Sequence, residues 1–113
     1  MDFHPEKQYR VSMTDIPYGT MDLEFTIPAY QAVTFGRDKR SQRVLNATDK
    51  QLSGLHFALV AQDGLYCIRD EGSSNGTYLN GVPIQGKGWM KIQSHDKIRV
   101  GGYEYRIIIE LVK

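Results

Sequence analysis

Apolar and polar residues alternate with a period of two along four segments of the chain. The apolar members of these segments are Tyr9, Val11 and Met13; Met21, Leu23, Phe25 and Ile27; Ile98 and Val100; and Tyr103, Tyr105, Ile107, Ile109 and Leu111. Successive side chains of a β-strand point to opposite faces, so this alternation predicts half-buried strands. Nowhere do apolar residues recur at helical spacing over three turns. The pattern therefore predicts an all-β protein.

Turn-forming residues separate these segments from several shorter ones. We predict short strands at 31–35, 57–61, 65–69 and 89–92, with a further two-residue strand at 44–45. The dipeptide Asn80-Gly81 is flanked by residues suited to strands on both sides, which indicates a tight hairpin with φ > 0 at both turn positions. Many short strands with turns between them are typical of a sandwich or a barrel.

The chain length predicts one domain over residues 1–113, with a core over about 7–112. Residues 1–6 are polar and form either an ordered arm or a frayed, flexible end. Lysine and arginine total 14 against 13 acidic residues, a net charge of +1. This balance gives no general attraction for nucleic acid or for anionic membranes. The single cysteine, Cys67, favours a reducing compartment, and no apolar run has the length of a membrane span. We expect a cytoplasmic protein without membrane insertion.

The sequence contains three patterns that suggest catalysis or metal binding, and we interpret none of them as an active site or a metal site. Residues 72–76 match the G-x-S-x-G nucleophile motif, but that motif requires a following helix, and here a hairpin is predicted. Ser53 and His56 could form a nucleophile and its base, although a histidine three residues after a serine is more often structural. The histidines at 4, 56 and 95 are too scattered for a metal site. We expect no enzyme, no metal site and no cofactor.

Anion recognition is one option that the polar residues leave open. Gly36-Arg37, Ser53 and the loop Ser74-Asn75-Gly76 provide a guanidinium, hydroxyls, an amide and glycine-exposed backbone N–H groups. These are the hydrogen-bond donors that a phosphate group with three acceptor oxygens needs. Composition alone ranks phosphate binding only as one function among several.

The ordered set of short motifs resembles the forkhead-associated (FHA) domain. The motifs are Gly36-Arg37, Ser53-x-x-His56, Ser74-Asn75-Gly76-Thr77 and Asn80-Gly81. The resemblance covers about residues 7–112 and implies a β-sandwich of two twisted, mostly antiparallel sheets with about eleven strands. Loops at one end of such domains bind phosphothreonine peptides.

The resemblance also implies a role for each matching residue. Arg37 would bind the phosphate, Ser53 and Ser74 would hydrogen-bond to the phosphothreonine, and Asn75 would hold the peptide backbone after it. Residues that would support the site are Gly36, which would allow a turn, His56, which would brace the loops, and Gly76, Thr77, Asn80 and Gly81.

Two positions depart from the family pattern. Gly54 stands where other members often carry a side chain that contacts the phosphate, so only its backbone N–H can contribute. Gln51 stands where some members have a basic residue that reads the third residue after the phosphothreonine, which argues against strong selection for an acid there. The 37–50 loop carries four further basic residues: Lys39, Arg40, Arg43 and Lys50. For each of them we favour solvated surface, and the alternative is that they supply the missing charge or read other positions of the peptide.

Two hypotheses of different classes follow. The first is a module that binds phosphothreonine in partner proteins, namely substrates of a Ser/Thr kinase or the kinase itself. The alternative is a phosphate-independent assembly module that docks partners through its sheet face or an edge strand.

Overall fold

The computed structural model describes residues 7–112, so the predicted arm at 1–6 lies outside the described residues. The described chain forms eleven strands: β1 (Gln8–Ile16), β2 (Asp22–Pro28), β3 (Val33–Gly36), β4 (Arg43–Val44), β5 (Phe57–Gln62), β6 (Leu65–Asp70), β7 (Thr77–Leu79), β8 (Val82–Pro83), β9 (Met90–Ile92), β10 (Lys97–Val100) and β11 (Tyr103–Leu111). Within residues 7–112 there is no helix whose length and apolar character would let it cross a membrane.

The strands form two sheets that pack face to face. One sheet has the order β2-β1-β11-β10-β7-β8, and the other has the order β4-β3-β5-β6-β9. The pairing of β3 with β4 is parallel, and the remaining pairs are antiparallel. The predicted all-β sandwich with about eleven mostly antiparallel strands is confirmed.

The core lies between the inner faces of the two sheets. Alternate residues of β1 and β11, including Val11 and Ile107, are buried, as the period-two pattern predicts. The rings of Phe35 and Phe57 stack with centroids 5.1 Å apart. Phe25 of the other sheet meets Phe35 edge to face at 5.3 Å, so aromatic contacts join the two layers.

Some strand bounds differ from those predicted. The third strand begins at Val33 rather than at residue 31 and continues to Gly36. Its pairing with β5 starts at Val33, opposite Leu59, and residue 31 lies in a bend after a turn in which Tyr30 has a left-handed φ of 68°. The apolar face of β11 is buried only in its middle, since Tyr103 and Leu111 are 41% and 52% exposed. The hairpin at Asn80-Gly81 is confirmed, with φ values of 50° and 83°.

Candidate functional site

Three loops meet at one place on the sandwich: residues 37–42 after β3, residues 45–56 before β5, and residues 71–76 after β6. The backbone N–H of Arg37 donates to Ser53 O at 2.9 Å. The backbone N–H of Ser74 donates to Ser53 Oγ at 3.0 Å. The side-chain amide of Asn75 donates to Gln51 O at 2.9 Å. The structure therefore brings together the motif residues of these three loops.

Gly36 lets two of these loops approach each other closely. A Cβ at residue 36 would lie 2.0 Å from Gly54 O and 2.8 Å from Ser53 O, which real Cβ atoms essentially never do. Its φ is not in the left-handed region. Glycine is needed at this position because the backbone of the Ser53-Gly54 loop lies so close, and not because of the turn that we expected.

His56 bridges the second and third loops from a buried position. Its Nδ1 accepts a hydrogen bond from the Ser53 N–H at 3.0 Å. This leaves the proton on Nε2, which donates to Gly76 O at 2.9 Å. Burial lowers the pKa of His56 below its usual value, so the neutral ring is favoured. With both ring nitrogens engaged, His56 is not placed to act as a base for the Ser53 hydroxyl.

The loop at 71–76 is built on the carboxylate of Asp70, which the sequence motifs did not single out. One carboxylate oxygen accepts the backbone N–H groups of Gly72 and Ser73, each at 3.0 Å. The other oxygen accepts the hydroxyls of Ser73 and Thr77, each at 2.5 Å. Ser73 Oγ in turn accepts the Gly76 N–H at 3.0 Å. An aspartate directly before Glu-Gly-Ser-Ser is the sequence signal that could have identified this anchor.

A second carboxylate, that of Asp49, fixes the other side of the site. It accepts the Gln51 N–H at 3.0 Å and the Gly102 N–H at 2.9 Å. Asp49 is buried, and these bonds attach the 45–56 loop to the turn between β10 and β11. Residues 49 and 102 are far apart in sequence, so no local pattern predicts this contact.

Asn80 and Gly81 form the hairpin that follows β7, and Gly81 lines a groove that Gln51 and Asn75 also line. Asn80 Oδ1 accepts the Lys97 N–H at 2.9 Å, and its amide donates to Asp96 at 3.2 Å. Gly81 has φ +83°, which an L side chain rarely adopts. These residues attach the hairpin to β10 and so fix the position of β7, the strand that follows the 71–76 loop.

Several polar groups at the meeting point are exposed or have donors that no acceptor within residues 7–112 takes up. Arg37 uses one guanidinium N–H on Lys50 O at 3.3 Å. Gly54 is buried, yet its N–H finds no acceptor among residues 7–112. Ser74 and Asn75 are exposed. Such a set of donors around one point suits an anion with several acceptor oxygens.

A groove with a volume of about 470 Å³ adjoins these groups. Its lining includes Gln51, Asn75, Gly76, Tyr78, Arg99 and Glu104. Arg99 and Glu104 face each other across β10 and β11, so the groove presents both a cation and an anion. It is continuous with the loop cluster through Asn75 and Gln51.

Comparison with protein families finds that the FHA domain model matches residues 33–101. Comparison with curated proteins finds no significant match.

Solved structures of low sequence identity share the fold. The FHA domain of the CT664 protein from Chlamydia trachomatis is 20% identical, with a TM-score of 0.71 over 88% of this chain and 96% of that one. The N-terminal FHA domain of S. cerevisiae Rad53p, in complex with a phosphothreonine peptide, is 21% identical, with a TM-score of 0.71 over 88% and 93%. Mycobacterium tuberculosis EmbR, in complex with a low-affinity phosphopeptide, is 24% identical, with a TM-score of 0.67 over 88% of this chain and 24% of that one.

Proposed function

The chain belongs to the FHA domain family, and on that basis we propose that it is a protein-interaction module that binds phosphothreonine in partner proteins. The observation that carries this proposal is the convergence of Arg37, Ser53 and Ser74 from three separate loops. A phosphorylated side chain brings about −1.5 to −2 charges and three acceptor oxygens. A partly exposed cluster of one guanidinium and several neutral donors is complementary to such a group.

Each residue of the cluster receives a distinct role in this proposal. Arg37 pairs with the phosphate through its free guanidinium donors. The hydroxyls of Ser53 and Ser74 and the N–H of Gly54 complete the shell of donors around the phosphate oxygens. Asn75, whose amide donates to Gln51 O, holds the peptide backbone in this proposal.

The groove beside Asn75 would receive the residues that follow the phosphothreonine. Gln51 is exposed at its rim, which is consistent with the selectivity role that the sequence motifs suggest for it. The threonine methyl would add on the order of 1 kcal/mol over phosphoserine if it is buried on binding. We further propose that the partners are substrates of a Ser/Thr kinase or the kinase itself, and that the domain has no enzymatic activity.

Fluorescence anisotropy against a degenerate phosphothreonine peptide library tests the proposal. Phosphoserine and unphosphorylated libraries are measured in parallel. Arg37→Ala should cost about 1.5–3 kcal/mol of binding free energy, the scale of a hydrogen bond to a charged group. Arg10→Ala is the matched control, because Arg10 lies on β1 and pairs with Glu24 and Glu110 instead.

Binding that requires phosphothreonine and is lost in Arg37→Ala alone would support the proposal. Equal binding of phosphorylated and unphosphorylated peptides, with Arg37→Ala silent, would overturn it. That second result would favour assembly through a sheet face or an edge strand.

A further inference from the structure

The guanidinium of Arg40 occupies the space that a side chain on residue 54 would fill. A Cβ at Gly54 would lie 2.1 Å from Arg40 Nε, 2.3 Å from Cζ and 2.4 Å from Nη2. All three distances are far below van der Waals contact, so the guanidinium rests directly against the Gly54 backbone. Because residue 54 follows Ser53, this places the charge of Arg40 beside the serine that joins the loops.

Asp38 holds Arg40 in this position. Arg40 Nε donates to Asp38 Oδ1 at 2.9 Å, and Nη2 donates to Oδ2 at 2.6 Å. The backbone N–H of Arg40 also donates to Oδ1 at 3.1 Å. This paired geometry fixes the plane of the guanidinium. The hydrogen bonds from Arg40 hold the pKa of Asp38 well below its usual value, so Asp38 stays charged at neutral pH.

The fork on Asp38 leaves most of the Arg40 donors available. Arginine has five N–H donors, and two of them bind Asp38. The other three have no acceptor among residues 7–112, and the side chain is 63% exposed. Arg40 is therefore a cation whose orientation is fixed by Asp38 and which keeps three N–H donors for another group.

Arg37 also interacts electrostatically with the Asp38 carboxylate. Its positive charge contributes to the lowered pKa of Asp38, so Arg37 and Arg40 share one acidic neighbour. Two guanidinium groups and one carboxylate leave a net charge of +1 at this point before any ligand binds. A doubly charged anion beside Ser53 would be attracted to that excess.

We propose that Arg40 is a second cation for the phosphate of a bound phosphothreonine, and that it supplies across the loop the side-chain contact that Gly54 lacks. This inference rests on the proposed function, since it assigns a further residue to the same site. In this arrangement the position of the Arg40 guanidinium depends on glycine at residue 54, because any side chain there would displace it.

The test is a mutant cycle measured by anisotropy with a phosphothreonine peptide taken from the library. Arg40→Ala should weaken binding about tenfold, the change that corresponds to 1.4 kcal/mol. Gly54→Ala keeps the Arg40 charge but expels its guanidinium from beside Ser53, and should weaken binding to a similar extent. The double variant should bind the peptide no more weakly than Arg40→Ala alone, because both substitutions remove the same contact between Arg40 and the phosphate.

Lys39→Ala is the matched control, since it removes one exposed positive charge from the adjacent position. It should change affinity less than twofold, and thermal melting should show all variants folded. The role of Arg40 is overturned if Arg40→Ala binds as Lys39→Ala does. The proposed function still stands in that case, provided that the wild type binds only phosphothreonine and Arg37→Ala weakens this binding by the expected amount. If the wild type binds no phosphothreonine peptide, the proposed function falls and the role of Arg40 falls with it.

Discussion

The backbone N–H of Ser74 donates a hydrogen bond to the side-chain oxygen of Ser53 at 3.0 Å. The Ser53 hydroxyl accepts this bond, so its own hydrogen is left to donate to another group. No acceptor for that hydrogen lies within residues 7–112. Ser53 therefore closes the contact between two loops and at the same time presents a donor at the point where they meet.

Ser53→Ala should weaken phosphothreonine-peptide binding by about 1.5–3 kcal/mol, because it removes a donor to a charged ligand. The domain should remain folded, since Ser53 is only half-buried. Anisotropy titration measures the loss, and circular dichroism checks the fold. Ser12→Ala, on β1, makes the same change outside the three loops and should bind as the wild type does. Unaltered binding by Ser53→Ala would remove Ser53 from the proposed site.

The sequence predicted those features of the fold that depend on neighbouring residues. Alternating residues such as Val11 and Met13 specify which face of a strand is buried, and Asn80-Gly81 specifies a hairpin. Both were confirmed. The exact start of β3 was not predictable from neighbouring residues, since the strand begins where Val33 pairs with Leu59, which is distant in sequence.

The contacts that shape the candidate site arise from residues distant in sequence. Nothing near Gly54 indicates that Arg40 fills its side-chain space, and nothing near Asp49 indicates a bond to Gly102. The order of the motifs identified the residues that converge. It could not show why residue 36 must be glycine, which is that the Gly54 carbonyl approaches it too closely for a Cβ. Such reasons become visible only when the three loops are placed together.

Gly36→Ala should destabilise the domain by about 1–3 kcal/mol, the usual cost of inserting a methyl into close-packed structure. The added Cβ would meet Gly54 O and Ser53 O, which are backbone atoms and cannot simply rotate away. Peptide binding should fall as well, since the Ser53 loop must shift. Urea unfolding measures the first effect. Gly102→Ala, whose Cβ would lie 3.3 Å from a carboxylate oxygen of Asp49, should cost less; a larger cost there would contradict the argument.

Asp70→Asn should destabilise the domain by about 1–3 kcal/mol, the cost of leaving a buried hydrogen-bonding group without its partner. The carboxylate accepts four hydrogen bonds from the loop and from Thr77. An amide has one acceptor oxygen, so its NH2 would face donors and leave some of them unpaired. Urea unfolding of Asp70→Asn and of Asp22→Asn makes the comparison, because exposed Asp22 accepts a single bond from Thr14 at 3.2 Å. Equal stability of the two variants would show that the Asp70 network contributes little.

The pH dependence of folding should depend on His56. Burial lowers its pKa, and this effect outweighs the opposing influence of the bond to Gly76 O and of the charges of Asp70 and Asp49. Protonation of Nδ1 would also remove the acceptor for the Ser53 N–H. The folded state therefore prefers the neutral ring, whereas the unfolded chain takes up a proton near the ordinary histidine pKa of about 6.5.

It follows that the stabilisation from neutral His56 is complete above about pH 6.5 and is lost as the pH falls towards the lower pKa of the folded state. The unfolding free energy should decrease below pH 6.5 with a slope of up to about 1.4 kcal/mol per pH unit for this one group. Urea unfolding between pH 7.5 and 5 measures the slope. His56→Gln should be less stable at pH 7.5 but should show a shallower decline than the wild type, because glutamine does not titrate. Parallel curves for the wild type and His56→Gln would mean that another group titrates instead.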